Sequence, residues 1–535
     1  MSESMRAPRR VSLPDFAGRS LSLPDNPESW ERLGVGKDVL LLGLGPGRPG
    51  DLPFARGGVD GARVFWLDEP ETLRRLDVAH SGAGRRSLPG HWQQITPEDI
   101  VALAARCSVF FYRPGLRLAP DFWGPLLGRL GAARLEERTR RTVIEDATKH
   151  VAEVGGRRPV LLPGTERQLL HQELRQALGE AGFGPVLESV PMCRDTENLL
   201  AAWENLLAGS NPALLLSVNL RGLDPEGRIF YLCQALGVPV AVWFVDNPWH
   251  LLSGLRLPWW QEAALFVTDE SFIPGLRAAG ARRVFYLPLA VAPQMWRDLP
   301  DENEAADLVQ NPPLFVGRSA FPERERFFAA ARVLQGLEQE ARTLLTHSGG
   351  PAEGPHFHWW LRKSGVAPWP GQDVRCVGLG AEICSQANRA RWVRAGLEAG
   401  MRVVGDAGWQ DLLPGLEVLP PVDYYTVLPD IYRRAGAVLN VTSLLLPQSL
   451  SQRHFDVWAA GGLLLSDATP GLRLFPEALT RPVTLSSPAD LLPRLAALRA
   501  DPARTRELRQ AWREHIRSGH AYSHRVAQLR DTLGI

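Results

Sequence analysis

The residue types that could bind an anionic, hydroxyl-bearing ligand are densest between Pro447 and Asp456, a polar loop running into a short helix with Arg453, Phe455 and Asp456. A helix opening turns backbone N–H groups toward negative charge, and Asp456 could accept hydrogen bonds from hydroxyls. A second set is Gly317-Arg318, with Arg324 shortly after; the planar guanidinium fork suits paired phosphate oxygens. A third is Asp246-Asn247, where a reacting group would sit at a strand end. The fourth is the turn Gly43, Gly45 and Gly47 with Asp68 roughly 20 residues downstream, a spacing that dinucleotide and S-adenosylmethionine folds use to bind a ribose hydroxyl. Each has a plain structural alternative: an ordinary αβ unit, surface arginines, a turn cap at Asp246, a structural glycine turn. His356 and His358 could ligate a metal, but no carboxylate or cysteine stands at ligand spacing, so no metal site is expected.

These residues need strand ends to hold them. Residues 437–441 read as a buried strand, and the Gly461-Gly462 break leads to a second apolar run over 463–465 that ends at Ser466-Asp467. Strand, loop, helix and strand make one step of a parallel sheet, where ligands gather at the carboxyl ends. Further strands are expected over 39–42, 62–67 and 108–112, then at 159–163, 185–190, 213–218, 240–245, 264–268 and 283–287. Strands are also expected at 314–316 and 401–404. The helix expected over 166–179 presents Leu169, Leu170, Leu174 and Leu178 as a core face. Residues 335–395 read as helical with a Gly/Pro-rich break at 348–355, and Trp243, Trp249, Trp259 and Trp260 as a sugar-stacking wall or as core.

The chain's 535 residues are too many for one core. With a net charge of +1, 45% apolar and 22% charged residues, composition excludes wholesale disorder and makes no electrostatic case for nucleic acid or an anionic membrane. Five scattered cysteines without C-x-x-C spacing exclude a disulfide framework or a cysteine zinc site. No apolar run is long enough to span a membrane, and a cytoplasmic protein is expected. Lysine occurs only at positions 37, 149 and 363, an arginine bias that points to a GC-rich bacterial source.

QRHFDVWAAGGLLLSD resembles the "R-x-F-E … A-x-G-G-x-L-L-T-D" segment of the spore-maturation (CgeB-type) glycosyltransferases, relatives of the group 1 retaining glycosyltransferases. Three more segments carry the likeness: GVPVAVWFVDNPWH, the helix-G-x-x-x-V-x-Y-L-P pattern ending at Pro288, and VVGDAGW. It covers roughly residues 160 to 500. The resemblance implies an α/β chain of GT-B type, with two Rossmann-like domains facing a cleft and an additional N-terminal Rossmann-like domain ahead of them. The boundaries expected are an arm over 1–35, the N-terminal domain over 36–150, a first, acceptor-side GT-B domain over 155–300, a second, donor-nucleotide domain over 310–500 and a helical tail over 501–535.

It further implies a sugar moved from a nucleotide-sugar donor to an unknown acceptor (glycan, protein or small molecule), with a retaining outcome and no required cofactor. Gly317, Arg318, Arg324, Asn440, Arg453 and Asp456 would bind the donor; Asp246 and Gln448 would be catalytic. The related group 1 enzymes carry two glutamates eight residues apart, the first on the donor sugar and the second on the ribose. Here Asp456 takes the second place and Gln448 the first, so the first carboxylate is missing. Two alternatives follow: a sugar-nucleotide-binding protein with reduced turnover, and a two-function protein using S-adenosylmethionine at Gly43, Gly45, Gly47 and Asp68.

Overall fold

A computed structural model describes residues 11–47, 62–80, 88–145, 157–166, 168–188, 196–301, 304 and 307–535. The first ten residues of the expected arm, and the stretch 146–156 between the first two expected domains, lie outside them.

Strands buried on both faces must be almost wholly apolar, and such strands assemble into parallel sheets covered by helices. Leu214–Val218 and Val240–Phe244 are buried at every position. They form the middle of a six-stranded parallel sheet in the order Arg283–Tyr286, Ala264–Val267, Val240–Phe244, Leu214–Val218, Val160–Leu161, Val186–Leu187. A second six-stranded parallel sheet runs Val418–Leu419, Arg402–Val404, Leu314–Val316, Val438–Asn440, Leu464–Asp467, Thr484–Leu485. In chain order this is 3-2-1-4-5-6, the dinucleotide-fold order. Its crevice opens where the order reverses, between the carboxyl ends of Leu314–Val316 and Val438–Asn440. The two sheets are the pair of Rossmann-like units of the GT-B fold. The additional N-terminal sheet has parallel strands Cys107–Tyr112, Asp38–Leu42, Val64–Leu67 and Gln93–Gln94, with Trp30–Arg32 antiparallel at one edge.

Residues 11–35 differ from the expected loose arm. Val11–Pro14 and Ser20–Leu23 form an antiparallel hairpin in which the first residues of the two S-L-P-D copies pair, Ser12 opposite Ser22, and Pro14 stands opposite Ser20. Leu13 and Leu23 bury themselves with Leu76, apolar contact that outweighs the reluctance of Pro14 to join a ladder. The helix expected from residue 166 is instead His171–Glu180, because Leu170 takes a left-handed φ of 74° and breaks the run. Leu169 is left 57% exposed, while Leu170, Leu174 and Leu178 are buried. Trp243, Trp249, Trp259 and Trp260 are all core.

Several seams join these units among the described residues, two of them made by helices that pack closely across the boundary. The long helix Pro120–Glu145 lays Gly124, Gly128 and Gly131 against the helix Arg228–Ala235. A Cβ at Gly128 would come within 2.3 Å of the Tyr231 carbonyl oxygen, and one at Gly124 within 2.3 Å of the Tyr231 ring. Beside them Arg228 and Glu31, both buried, pair at 2.9 Å across the seam. At the other end, Pro502–Gly519 stacks Trp512 on Trp458 of the second unit, 4.7 Å apart and 2° from parallel. The last helix, Tyr522–Leu533, then crosses to the first unit and buries Tyr522, Val526 and Leu529 with Leu174 and Leu178.

The glycine-faced seam yields a test. Gly128→Val must push the helices apart and should destabilise the chain by about 1–3 kcal/mol. Gly179→Ala, at a site with nothing within 4 Å, should be neutral or slightly stabilising. Chemical denaturation of both variants checks this, and equal stabilities would show that the seam tolerates a side chain.

Candidate active site

A cavity of about 450 Å³ lies between the carboxyl ends of the two large sheets; Asp246, Asn247 and His250 border it from the first, and Gly317, Arg318, Ser451 and Arg453 from the second. A neighbouring cavity of about 540 Å³ shares Gly317, Arg318 and the turn after them, and reaches Asp406, Val422 and Leu428.

The turn that presents Arg318 is set by its neighbours. Gly317 donates its N–H to the Val404 carbonyl at 3.0 Å, and its own carbonyl accepts from Trp409 Nε1 at 2.9 Å. Asp406 accepts from Ser319 N at 2.9 Å, Ser319 Oγ at 2.5 Å and Gly408 N at 3.1 Å. Burial pushes Asp406 upward, but the Ser319 and Gly408 donors outweigh it and hold the carboxyl below its usual range. Arg318 stands exposed at the mouth of both cavities and makes no hydrogen bond or ion pair among the described residues.

Arg453 reaches the same cavity from the other side of the crevice. Its Nε donates to Asn440 Oδ1 at 3.0 Å and one terminal nitrogen to the Val316 carbonyl at 2.6 Å, with the guanidinium 5.7 Å from the centre of the Phe315 ring. Asn440 is fully buried and also accepts from Ser451 Oγ at 2.7 Å. It therefore positions Arg453 and Ser451 and does not border the cavity. His454 Nδ1 accepts from Ser451 N at 3.0 Å, leaving Nε2 to donate to Ser466 Oγ at 3.0 Å. Burial pushes His454 down to about 3, a neutral ring that fixes the loop.

On the first sheet, Asn219 Nδ2 donates to Asp246 Oδ2 at 2.7 Å and its Oδ1 accepts from Val245 N at 3.0 Å. The following helix, Pro248–Leu252, is capped by Asn247, not Asp246. Asp246 is thus left facing the cavity. Burial raises its pKa against the Asn219 hydrogen bond and the nearby Arg221 charge.

Four expected residues are placed elsewhere. Gln448 donates its backbone N–H to Asp269 Oδ2 at 2.9 Å and does not border the cavity; Leu445, Leu446 and Ser449–Gln452 make that wall. Arg324 opens a short helix after the left-handed turn at Glu323 and reaches Gln386 at 3.3 Å, away from both cavities. Asn440 lies beneath Arg453, as described. Asp456 is wholly enclosed: it accepts from the Tyr424 hydroxyl at 2.5 Å, Gln452 Nε2 at 3.2 Å and Ala292 N at 3.3 Å. The Tyr522 hydroxyl donates to Gln452 Oε1 at 3.0 Å, and the Tyr425 hydroxyl to the buried Glu173 at 3.0 Å. Asp456 sits at the expected position in the chain, but its helix is packed against the first unit: Ala292 N from that unit and Gln452 from its own share one oxygen, and Tyr424 takes the other.

The N-terminal glycine turn borders neither cavity. Asp68 is buried there and accepts from Leu44 N and Glu69 N, both at 2.8 Å, while Gly43 and Gly45 take left-handed φ of 75° and 62°. A Cβ at Gly47 would come within 2.2 Å of Asp25. The acid closes its own turn.

Two cavity residues escaped sequence reasoning. Arg389 and Glu382, on the helix Val374–Ala395, pair at 2.9 Å and both border the cavity. Their spacing of seven residues, two helical turns, was the available signal. Among the described residues no group of three or more His, Cys, Asp or Glu could hold a metal ion, and no helix is long and apolar enough to cross a membrane.

Residues 383–531 match a family model described as "Glycosyl transferase-like", a stretch that includes Arg389, Asn440, Arg453 and the tail helices. Among solved structures, UGT2 of Phytolacca americana, complexed with UDP-2fluoro-glucose and pterostilbene, aligns with 10% identity and a TM-score of 0.28 over 67% of this chain and 94% of that one. No curated protein sequence matches the chain.

The Asp456 enclosure predicts a pH effect. Burial, with a smaller push from Glu173, outweighs the Tyr424, Ala292 and Gln452 donors and raises this carboxyl to about 7. The folded state therefore keeps a proton that the unfolded chain releases near about pH 4. Asp456's contribution to stability is complete in acid and fades as pH rises toward 7. Asp456→Asn should flatten that decline in urea melts from about pH 4.5 to about pH 8; an unchanged slope would assign it to another group.

Proposed function

We propose that the protein is a glycosyltransferase that moves a sugar from a nucleoside-diphosphate donor to an acceptor, without a required metal and with retention at the anomeric carbon. One observation supports this above the others: Arg318 and Arg453 from the second sheet and Asp246 from the first border a single cavity at a dinucleotide-type switch point. Breaking the anomeric C–O bond leaves a diphosphate, and its charge must be met by fixed donors. Arg453 is pre-aimed by Asn440 and Val316, and Arg318 stands at the mouth shared by the two cavities. A diphosphate at Arg318 would leave the Val422 and Leu428 side for the base and the Asp246 side for the sugar and acceptor. Asp246 can accept a hydrogen bond from the incoming hydroxyl, and the leaving phosphate oxygen can take its proton.

Gln448 supports a second reading, a donor-binding protein of low turnover. It lacks a carboxylate and is tied through its backbone to Asp269. The S-adenosylmethionine reading gains no support, because Asp68 is occupied by its own turn.

Calorimetry with a panel of nucleoside diphosphates and transfer assays with the matching sugars separate the first two readings. Arg318→Ala should weaken diphosphate binding by about 1.5–3 kcal/mol, as expected for a charge-assisted hydrogen bond; unchanged affinity would remove Arg318 from the site. Transfer should survive excess EDTA. Loss on chelation, with recovery on added magnesium or manganese, would show that a metal is needed.

A further inference from the structure

The cavity carries more positive charge than its protein partners neutralise. Arg389 projects into it from the helix Val374–Ala395: one terminal nitrogen donates to Glu382 at 2.9 Å and to the Ser319 carbonyl at 3.1 Å, and the other to Ser385 Oγ at 3.1 Å. Its Nε is buried with no hydrogen-bond partner. Ser319 directly follows Arg318, so the Arg389 guanidinium is anchored to the turn that carries Arg318. Across the crevice, Arg453 feels the Arg389 charge, which adds to burial in holding its pKa down. Three arginines thus surround one space, and Glu382 is the one carboxylate bound to any of them among the described residues. Two guanidinium groups that border one cavity, one of them bound through its second terminal nitrogen to Ser385 Oγ alone among the described residues, are at lower energy with an anion between them.

We propose that Arg389 is a direct ligand of the donor's diphosphate, forming with Arg318 and Arg453 a three-arginine cradle in which Glu382 tempers the charge. This deepens the glycosyltransferase reading and rests on it for the identity of the ligand. Arg324, the cation that the resemblance implies, gives way in this proposal to a residue that borders the cavity from a different helix.

The alternative is that Arg389 only ties its helix to the Ser319 turn. Such a tie would alter stability, and would change affinity for all ligands alike. Calorimetry on the full chain would use the diphosphate it binds best among UDP, GDP, ADP and dTDP, and the matching monophosphate. Arg389→Gln keeps donors for Ser319 and Glu382 but removes the charge. It should weaken the diphosphate about tenfold or more and the monophosphate much less. Glu382→Gln keeps an acceptor for Arg389 and the Phe321 N–H but removes the opposing charge. It should tighten the diphosphate relative to the monophosphate, a gain that misfolding cannot imitate. An unchanged diphosphate-to-monophosphate ratio in either folded variant overturns the proposal. So does weakening by Arg324→Gln without weakening by Arg389→Gln. If the wild-type chain binds none of the four diphosphates, the sugar-nucleotide reading fails, and inorganic pyrophosphate reads the cradle by itself. Binding of pyrophosphate that Arg389→Gln abolishes keeps the anion site, and no binding removes both.

Discussion

The loop Leu445–Gln452 has no strand of its own to pair with, yet it is packed between two sheets, and buried backbone groups must find partners. They find several of them in the first unit. Asn247 Nδ2 donates to the Leu445 carbonyl at 3.1 Å, and Asp269 accepts from Gln448 N at 2.9 Å. The Ala290 carbonyl accepts from Gln452 Nε2 at 2.6 Å, and Ala292 N donates to Asp456 at 3.3 Å. This stitching sets where the helix Arg453–Ala459 begins. It therefore also sets where Arg453 enters the cavity and why Asp456 does not.

The same constraint explains which side chains can meet a ligand. A carboxylate closed in by Tyr424, Gln452 and Ala292 serves the domain contact, whereas one held on a single side by Asn219 keeps an open face. Asp456 and Asp246 have the same chemistry and opposite uses, set by how many donors the surrounding backbone brings to each. The cations follow the same rule: Arg324 spends its reach on Gln386, while Arg318 is held out by a turn whose own needs are met by Asp406 and Trp409.

Much of the architecture was legible in the sequence because strands of a parallel sheet announce themselves as unbroken apolar runs. Val240–Phe244 and Leu214–Val218 lie where those runs do, and the Gly-Arg at 317–318 stands at a strand end as read. What was not legible depends on contacts between distant segments. The hairpin over residues 11–23 is held by Leu76, some fifty residues on, and Pro14 within it speaks against a strand. The start of His171–Glu180 turns on a left-handed Leu170 that no propensity suggests. Gln448 and Asp456 keep the spacing of a donor loop, but spacing along a chain does not say which neighbour claims a carboxylate first. Arg389 was hidden because its helix is buried on several faces, so no amphipathic pattern marked the side that meets the crevice.

The chain crosses between the two large units at two places, near Val291 and near Ala521, and these crossings lie against each other. Val291 and Ala521 form a parallel bridge, and Val291 N donates to the His520 carbonyl at 2.8 Å. Two tethers side by side join the units along one line, and the core that Trp249 and Leu252 share with Phe357, Trp360, Val377 and Ala381 joins them along another. The helix that carries Arg389 is pressed on that shared core, where a Cβ at Gly378 would come within 2.0 Å of His250, so the arginine side of the cavity and the Asp246 side are braced against each other at a place far along the chain from both tethers.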